Sequence, residues 1–386
     1  MRCRPVRLVD YADLVDCAYF AAGRCGSCSE LPTPYDVQLD AKERRCREAL
    51  ADHPDSSGIS WLPTARSAPQ GFRNKAKMVV AGTPEAPTLG ILDPLGAGVD
   101  LRTCPLYSPA MHGLLEVLSD FVVRARLTPY DVSLRRGELK HLIVTESPGG
   151  EFLVRFVLRS SEGVPRIRKH LPGLLAEHPS IAVVSVNRQP EHKAILEGPE
   201  EEVLTERVTL PMQVNDLVLH LRPRSFFQTN TDLAAALYRQ ASSWADEIGA
   251  SAVLDLYCGV GGFALHLAAP GRRVRGVELS QEAVASAVAT ATESDLAAEF
   301  ACGDATAVEV EAELVVVNPP RRGLGPDLCA RLESSSARWV IYSSCNAASL
   351  VRDLGRLPSW VPRRARVVDM FAHTSHFEVI TLLERR

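Results

Sequence analysis

A cysteine at the tip of an apolar run near the C-terminus is the strongest chemical signal in the chain. The run is Trp339-Val340-Ile341-Tyr342-Ser343-Ser344-Cys345-Asn346. Its first residues favour a strand that delivers a thiol, hydroxyls and an amide to its end. Open α/β sheets place their chemistry at such strand ends. Thirty-three residues after Cys345, His373-Thr374-Ser375-His376-Phe377-Glu378 supplies a carboxylate next to another strand-like run, Val379 to Leu383. A thiol and a separate carboxylate suffice for covalent catalysis followed by proton removal. The plainer alternative is a small buried thiol filling the sheet end. His373 and His376 are badly spaced for a shared metal, since residues three apart on a strand face opposite sides. His376 and Glu378, two apart, would share a face of a regular strand.

The elements that must position these groups lie upstream. Val253-Leu254-Asp255-Leu256-Tyr257 reads as a buried strand, followed by Cys258-Gly259-Val260-Gly261-Gly262-Phe263 and an apolar helix through Ala269. Glycines at this turn let backbone approach a ligand and open the helix. Arg273 to Leu279 is a second strand carrying Glu278, an acid placed to accept hydrogen bonds from ribose hydroxyls. A third runs from Ala298 to Asp304. A fourth, Glu313 to Asn318, stops at Pro319-Pro320-Arg321 because two prolines cannot continue a ladder. Gly259-Val260-Gly261-Gly262 lacks the spacing that packs against a pyrophosphate, which argues against a dinucleotide. A catalytic α/β domain of the doubly wound, Rossmann-like kind is expected.

The order acid, glycine turn, acid, Asn-Pro-Pro resembles the S-adenosylmethionine-dependent methyltransferases, whose ligand has a ribose and an adenine but no diphosphate. In their amino-group type an aromatic residue follows the prolines; here Arg321 stands there. With Asn318-Pro319-Pro320-Arg321, Ser343-Ser344-Cys345-Asn346 and Glu378 together, the chain resembles the RNA uracil-C5 methyltransferases that make 5-methyluridine. The likeness is closest to their 23S ribosomal RNA members. It reaches into Gln70 to Met78, Arg136 to Lys140 and Ser225 to Asn230, and covers nearly everything from Cys17 onward. The resemblance implies that Cys345 is the nucleophile on uracil carbon 6 and Glu378 the base that removes the carbon 5 proton. It implies that Gln228, Tyr257, Glu278 and Asn318 contact S-adenosylmethionine, Glu278 through its ribose. Tyr257 and Asn318 stand where many relatives carry Phe and Asp. Since thiolate is the reactive form, a polar and partly electropositive pocket is expected around Cys345.

A second signal lies in the N-terminal third. Cys17, Cys25 and Cys28 form C-x7-C-x2-C, and Cys104 precedes Pro105. Residues 1–16 contain Arg2, Arg4, Arg7, Asp10 and Asp13 and no apolar core segment, so no signal peptide is expected. A reduced cytoplasm favours metal or catalysis over disulfides. Zinc ribbons pair two C-x2-C knuckles and this chain has one. The spacing also departs from that of ferredoxins, leaving zinc and iron–sulfur open. The resemblance implies a [4Fe-4S] cluster held by Cys17, Cys25, Cys28 and Cys104, with Cys3 and Cys46 as bystanders.

At 386 residues, 46% hydrophobic and 23% charged, the chain is globular and long enough for two or three domains. No uninterrupted apolar stretch approaches a membrane helix. The expected organisation is an iron–sulfur segment over 1–60, a central mixed α+β RNA-recognition region over 61–225 that supplies Cys104, and the methyltransferase domain over 226–386. A net charge of −4 argues against nonspecific coating of nucleic acid, so RNA must meet a local basic surface. Arg73, Lys75 and Lys77 alternate and would line one strand face. Arg135, Arg136, Lys140 and His141 form a second group; Arg155, Arg159, Arg166, Arg168 and Lys169 form a third, whose 166–169 part reads as solvated surface. The reading as a whole is a cytoplasmic, monomeric methyltransferase of 23S ribosomal RNA. A related enzyme acting on another rRNA or tRNA site is the alternative within the class. An iron–sulfur RNA-binding protein with an inactive methyltransferase fold is the alternative outside it, and methyl-donor binding separates the two.

Overall fold

The computed structural model describes residues 15–386, so Cys3 lies outside the described part. After a short helix α1 (Ala18–Ala21), helix α2 (Tyr35–Leu50) buries Tyr35, Leu39, Lys42, Cys46 and Leu50. Their spacing of three and four puts them on one stripe. Strand β1 (Ser60–Ala65) follows and carries Pro63, which restricts it to a sheet edge.

The central region forms a seven-stranded sheet. Its strands are β2 (Lys75–Gly82), β3 (Pro87–Leu92), β4 (Gly98–Asp100), β5 (Leu139–Glu146), β6 (Phe152–Leu158), β7 (Ile181–Arg188) and β8 (Glu200–Val203). Their order is β4-β3-β2-β5-β6-β7-β8. All neighbours are antiparallel except β6 and β7, which helix α4 (Val164–Glu177) connects; helix α3 (Pro109–Arg124) precedes β5. On β2, Ala76, Met78 and Val80 enter the core under α3 and α4, which leaves Lys75, Lys77 and Val79 on the opposite face. Hairpin β9 (Leu210–Val214) and β10 (Leu217–Leu221) then leads to helix α5 (Thr231–Glu247), capped by Asn230 through Leu233 N.

The remaining strands are β11 (Ala252–Leu256), β12 (Arg273–Glu278), β13 (Ala298–Cys302), β14 (Leu314–Val317), β15 (Trp339–Ser344), β16 (Trp360–Val368) and β17 (Glu378–Arg385). Helices α6 (Gly262–Leu267), α7 (Gln281–Glu293), α8 (Gly325–Ser334) and α9 (Ala347–Leu354) alternate with them. The eight-stranded sheet runs β1-β16-β17-β15-β14-β11-β12-β13. The order reverses between β11 and β14, the switch point where open α/β sheets bind ligands. Only β17 runs against its neighbours. That inversion brings its first residue, Glu378, to the edge where the parallel strands end.

The N-terminal segment is built into this sheet. Strand β1 pairs with β16 in parallel, from Ser60↔Arg364 to Ala65↔Val368. Cys46, Leu50 and Ile59 share a core with β14, β15 and α9. The expected boundary at residue 60 therefore parts β1 from the helix it follows, and that at 225 parts it from the sheet it joins. Local pattern could not reveal a pairing partner 300 residues away.

Candidate active site

Strand β15 is buried from Val340 to Ser344, and Asn346 caps α9 by accepting from Ala348 N at 3.1 Å. Cys345 is held between the two elements, half-buried. Across the sheet, Ser343 pairs with Ile380 and Ser344 with Val379. Continuing that register by one residue sets Cys345 opposite Glu378. Ser343 and Cys345 thus point to the face that carries Glu378.

Glu378 is 2% exposed, and its Oε1 accepts a hydrogen bond from Ser343 Oγ at 2.7 Å. Burial pushes its carboxyl up to about 7, against the pull of that hydrogen bond. Burial also raises the Cys345 thiol, and the neighbouring Glu378 carboxylate raises it further; the Arg321 guanidinium acts in the opposite sense. The expected electropositive contribution comes from Arg321, and burial and Glu378 work against it. Arg321 is fixed by its backbone, whose carbonyl accepts from Asn346 Nδ2 at 3.2 Å, and its guanidinium lies 3.4 Å from His376 Nδ1. His376 therefore sits outside strand β17, beside Arg321, and does not share a strand face with Glu378. His373 is buried with φ at +64°, tied to Gln38 and to the Pro69 carbonyl.

Three of the residues expected at the methyl donor, Tyr257, Glu278 and Asn318, stand at the carboxyl ends of β11, β12 and β14. Glu278 ends β12, and its two oxygens accept from Gly259 N at 3.2 Å and Ser280 N at 2.9 Å. The acid thus anchors the glycine turn from below. Gly261 has φ +85°, and a Cβ at Gly262 would meet the Tyr238 hydroxyl at 2.4 Å. Glycine at both positions is required by conformation and by contact respectively. Asp255 is wholly buried, receives Ala264 N at 2.9 Å and is pushed up to about 8 by that burial. Its role is to hold helix α6 against the strand. Tyr257 adopts φ +63° directly after β11, half-buried, and Asn318 follows β14. Gln228 is buried in the loop before α5, and its carbonyl accepts from Asn74 Nδ2 at 2.9 Å. Among the described residues no hydrogen bond joins Gln228 to the other three. Asp304 lies beyond the end of β13, in a turn with Thr306.

Ser343 as partner of Glu378, and Arg321 as neighbour of the thiol, escaped the reading of the sequence. The signal for Ser343 was the register of an antiparallel β17, which the chain's local pattern does not carry.

Cys17, Cys25, Cys28 and Cys104 line one cavity of about 160 Å³ together with Arg73 and Tyr107. Burial and mutual repulsion push Cys28 up to about 11, and Cys104 is raised by burial first. Among the described residues no three His, Cys, Asp or Glu side chains meet in a ready single-ion site. Cys46 is buried in the catalytic core, away from this cavity.

Comparison with known proteins agrees with this geometry. A family model described as "Methyltransferase domain" matches residues 253–318, and one described as "tRNA (Uracil-5-)-methyltransferase" matches 303–386. The crystal structure of Pyrococcus abyssi tRNA (uracil-54, C5)-methyltransferase in complex with S-adenosyl-L-homocysteine superimposes with a TM-score of 0.77. It covers 93% of this chain and 84% of that one at 24% identity, and so shares the fold. The 23S rRNA (uracil(747)-C(5))-methyltransferase RlmC of Halothiobacillus neapolitanus is 49% identical over 381 residues, covering 96% of this chain and 99% of its own. The protein of the same description from Yersinia pseudotuberculosis is 46% identical over 376 residues, with the same coverage. A chain that shares close to half its residues with these enzymes, over 96% of its length, belongs to the family of 23S ribosomal RNA (uracil-C5)-methyltransferases.

Proposed function

We propose that the protein methylates carbon 5 of one uridine in 23S ribosomal RNA, the position numbered 747 in the names of its relatives. The observation that carries the reading is the placement of Cys345 opposite Glu378 at the sheet edge, with Arg321 beside the thiol. Carbon 5 of uracil is too weak a nucleophile to take a methyl group unaided. The Cys345 thiolate adds to carbon 6, and the ring's double-bond electrons move into an enolate with density on carbon 5. S-adenosylmethionine, when bound, supplies the methyl group to that carbon. Glu378 then takes the carbon 5 proton; the carbon–sulfur bond breaks and the ring double bond returns. Ser343 orients Glu378 for this step, and Arg321 offsets the charge of the forming thiolate. Gln228, Tyr257, Glu278 and Asn318 hold the methyl donor, Glu278 by its ribose.

The four cysteines of the N-terminal cavity hold a [4Fe-4S] cluster. The donor set is entirely sulfur, and a soft iron–sulfur core suits it. Four thiols spread around a cavity fit a body larger than one ion better than zinc, which draws its ligands to about 2.3 Å. A cationic centre would also reverse the mutual repulsion that raises Cys28. No helix among the described residues is long and apolar enough to cross a membrane, in keeping with work on ribosomal RNA in the cytoplasm. We take the enzyme to act as a monomer. Mapping 5-methyluridine in 23S ribosomal RNA from cells lacking this gene tests the assignment. Loss at one uridine, restored by the wild-type gene, is expected; an unchanged map overturns it.

A further inference from the structure

On the open face of the central sheet, away from Cys345, lies a cavity of about 480 Å³ between strands β2 and β5 and the 190–196 segment. Val79 and His141, which stand opposite each other in the β2–β5 register, form its floor, and Tyr130, Lys140, His192 and Ile195 build its walls. We propose that it is a second RNA subsite that receives one unpaired nucleobase of the substrate, distinct from the uracil being methylated. The inference rests on the proposed function for the identity of the RNA.

The lining has the character a base requires. Tyr130 and His192 are joined by a hydrogen bond between the hydroxyl and Nδ1 at 3.0 Å, and their rings lie 6.3 Å apart at 53°. They form a fixed aromatic corner against which a base can stack. The Lys140 ammonium lies 4.7 Å from the Tyr130 ring and donates to Gln189 and to the Glu191 carbonyl, so it braces the wall and is not free to take a phosphate. The His141 imidazole makes no hydrogen bond to any described residue, and burial pushes it down to about 4. A neutral imidazole presents one donor and one acceptor, the pairing complement of a base edge. Val132 and Ile195, 49% and 41% exposed, leave apolar surface at the mouth.

The site also lies along β2 from the loop that carries Gln228 and Asn230. Asn74 holds the Gln228 carbonyl, Arg73 bridges to Asn230, and Lys77 precedes Val79 by one strand repeat on the same face. A single strand whose target base enters the site by Cys345 can follow this face with its phosphates toward Arg73 and Lys77. The next unstacked base then meets the cavity.

The test measures binding of the full-length holoenzyme to a hairpin fragment of 23S ribosomal RNA that carries the target uridine. Each unpaired nucleotide is replaced in turn by an abasic one. Tyr130→Ala should weaken binding about 10-fold, as expected for one lost stacking partner, and the charge that Ile195→Asp sets at the apolar mouth should weaken it by a similar factor. One abasic position other than the target should reproduce the loss, and Tyr130→Ala should then cost nothing further. Affinity for S-adenosylmethionine should stay unchanged. Unaltered RNA affinity in the folded Ile195→Asp protein overturns the subsite, and so does a Tyr130→Ala effect that adds fully to every abasic substitution. Methylation of the same fragment by the wild-type enzyme is scored separately. Its absence would count against the proposed function, while the binding cycle still decides the subsite.

Discussion

Ser343 on β15 donates its hydroxyl hydrogen to Glu378 on β17 at 2.7 Å, along a diagonal of the antiparallel pair. Ser343 and Cys345 are two residues apart on one chain, so the group that orients the base and the group that attacks the ring share a strand tip. The relationship separates two steps that can be blocked independently.

With Cys345→Ala no thiolate adds to carbon 6, so neither methyl transfer nor a protein–RNA adduct should form. With Glu378→Gln, attack and methyl transfer precede the blocked proton removal. A denaturation-resistant adduct carrying label from the methyl donor should therefore accumulate on a gel. Loss of a general base costs about 10²–10⁴ in rate, so slow release through water is compatible with the role. An adduct formed by the Cys345 variant would remove the nucleophile assignment. Full turnover by the Glu378 variant would move the base elsewhere.

Glu378 also predicts how stability varies with pH. Its folded value of about 7 lies above the ordinary value for glutamate, about 4.3. The fold accepts the neutral acid and resists the anion, so the cost of keeping Glu378 appears as pH rises through that interval and is complete above it. Glu378→Gln, which cannot ionise, should gain on the order of 3 kcal/mol relative to wild type between pH 4 and pH 8. Thermal unfolding of both proteins across that range measures the gain. A difference independent of pH would show that the carboxyl ionises freely in the fold.

The basic strip on β2 calls for a narrower test than the sequence suggested. Lys77 is exposed, but Lys75 is pushed down to about 8 by burial, with Lys77 and Arg155 adding to the effect. A lysine so placed is a poor phosphate contact. Arg73→Ala with Lys77→Ala should lower the salt dependence of RNA binding by about two units of slope. S-adenosylmethionine binding should be unaffected. An unchanged slope would make this face merely solvated.

The cysteine cavity should give a brown protein after anaerobic purification, with about four irons per chain. Serine at Cys17, Cys25, Cys28 or Cys104 should abolish the colour and loosen the segment that precedes Glu378. Glu30 N bonds the His373 carbonyl at 2.9 Å, Gln38 bonds His373, and Lys42 forms a buried ion pair with Asp369 at 2.5 Å. Hydrogen exchange over residues 369–377 should rise in those variants. A colourless, active preparation with one zinc per chain would overturn the cluster.

Much of the site was readable because its parts lie on short local patterns. The glycine turn, Glu278 at a strand end and the Pro319-Pro320 stop each announce themselves within a few residues. Strand β6 lies where its apolar run predicts, at Phe152–Leu158. What stayed hidden depends on pairing between distant segments. Nothing in Glu378 to Leu383 declares that this strand runs antiparallel, yet that direction makes Ser343 its partner. His376 looked like a strand residue because Val379 onward is one, whereas the chain becomes regular only at Glu378. Lys75 alternates with Lys77 as expected, but burial along a strand face varies with what packs over each end.

The parallel pairing of β1 with β16 has a consequence for the order in which the molecule is made. Ser60 leaves the ribosome some 300 residues before Arg364, the residue it must find. Until then β1 and α2 lack the sheet and core they join, whereas Cys17, Cys25 and Cys28 already have the central sheet and Cys104 beside them. Contacts this distant in sequence delay folding, because the loop between them must close first. Helix α2 and β1 therefore stay undocked through most of synthesis and take their places last, when β16 and β17 arrive. A chain truncated before Trp360 would leave β1 without its strand partner and the buried face of α2 without the core that covers it.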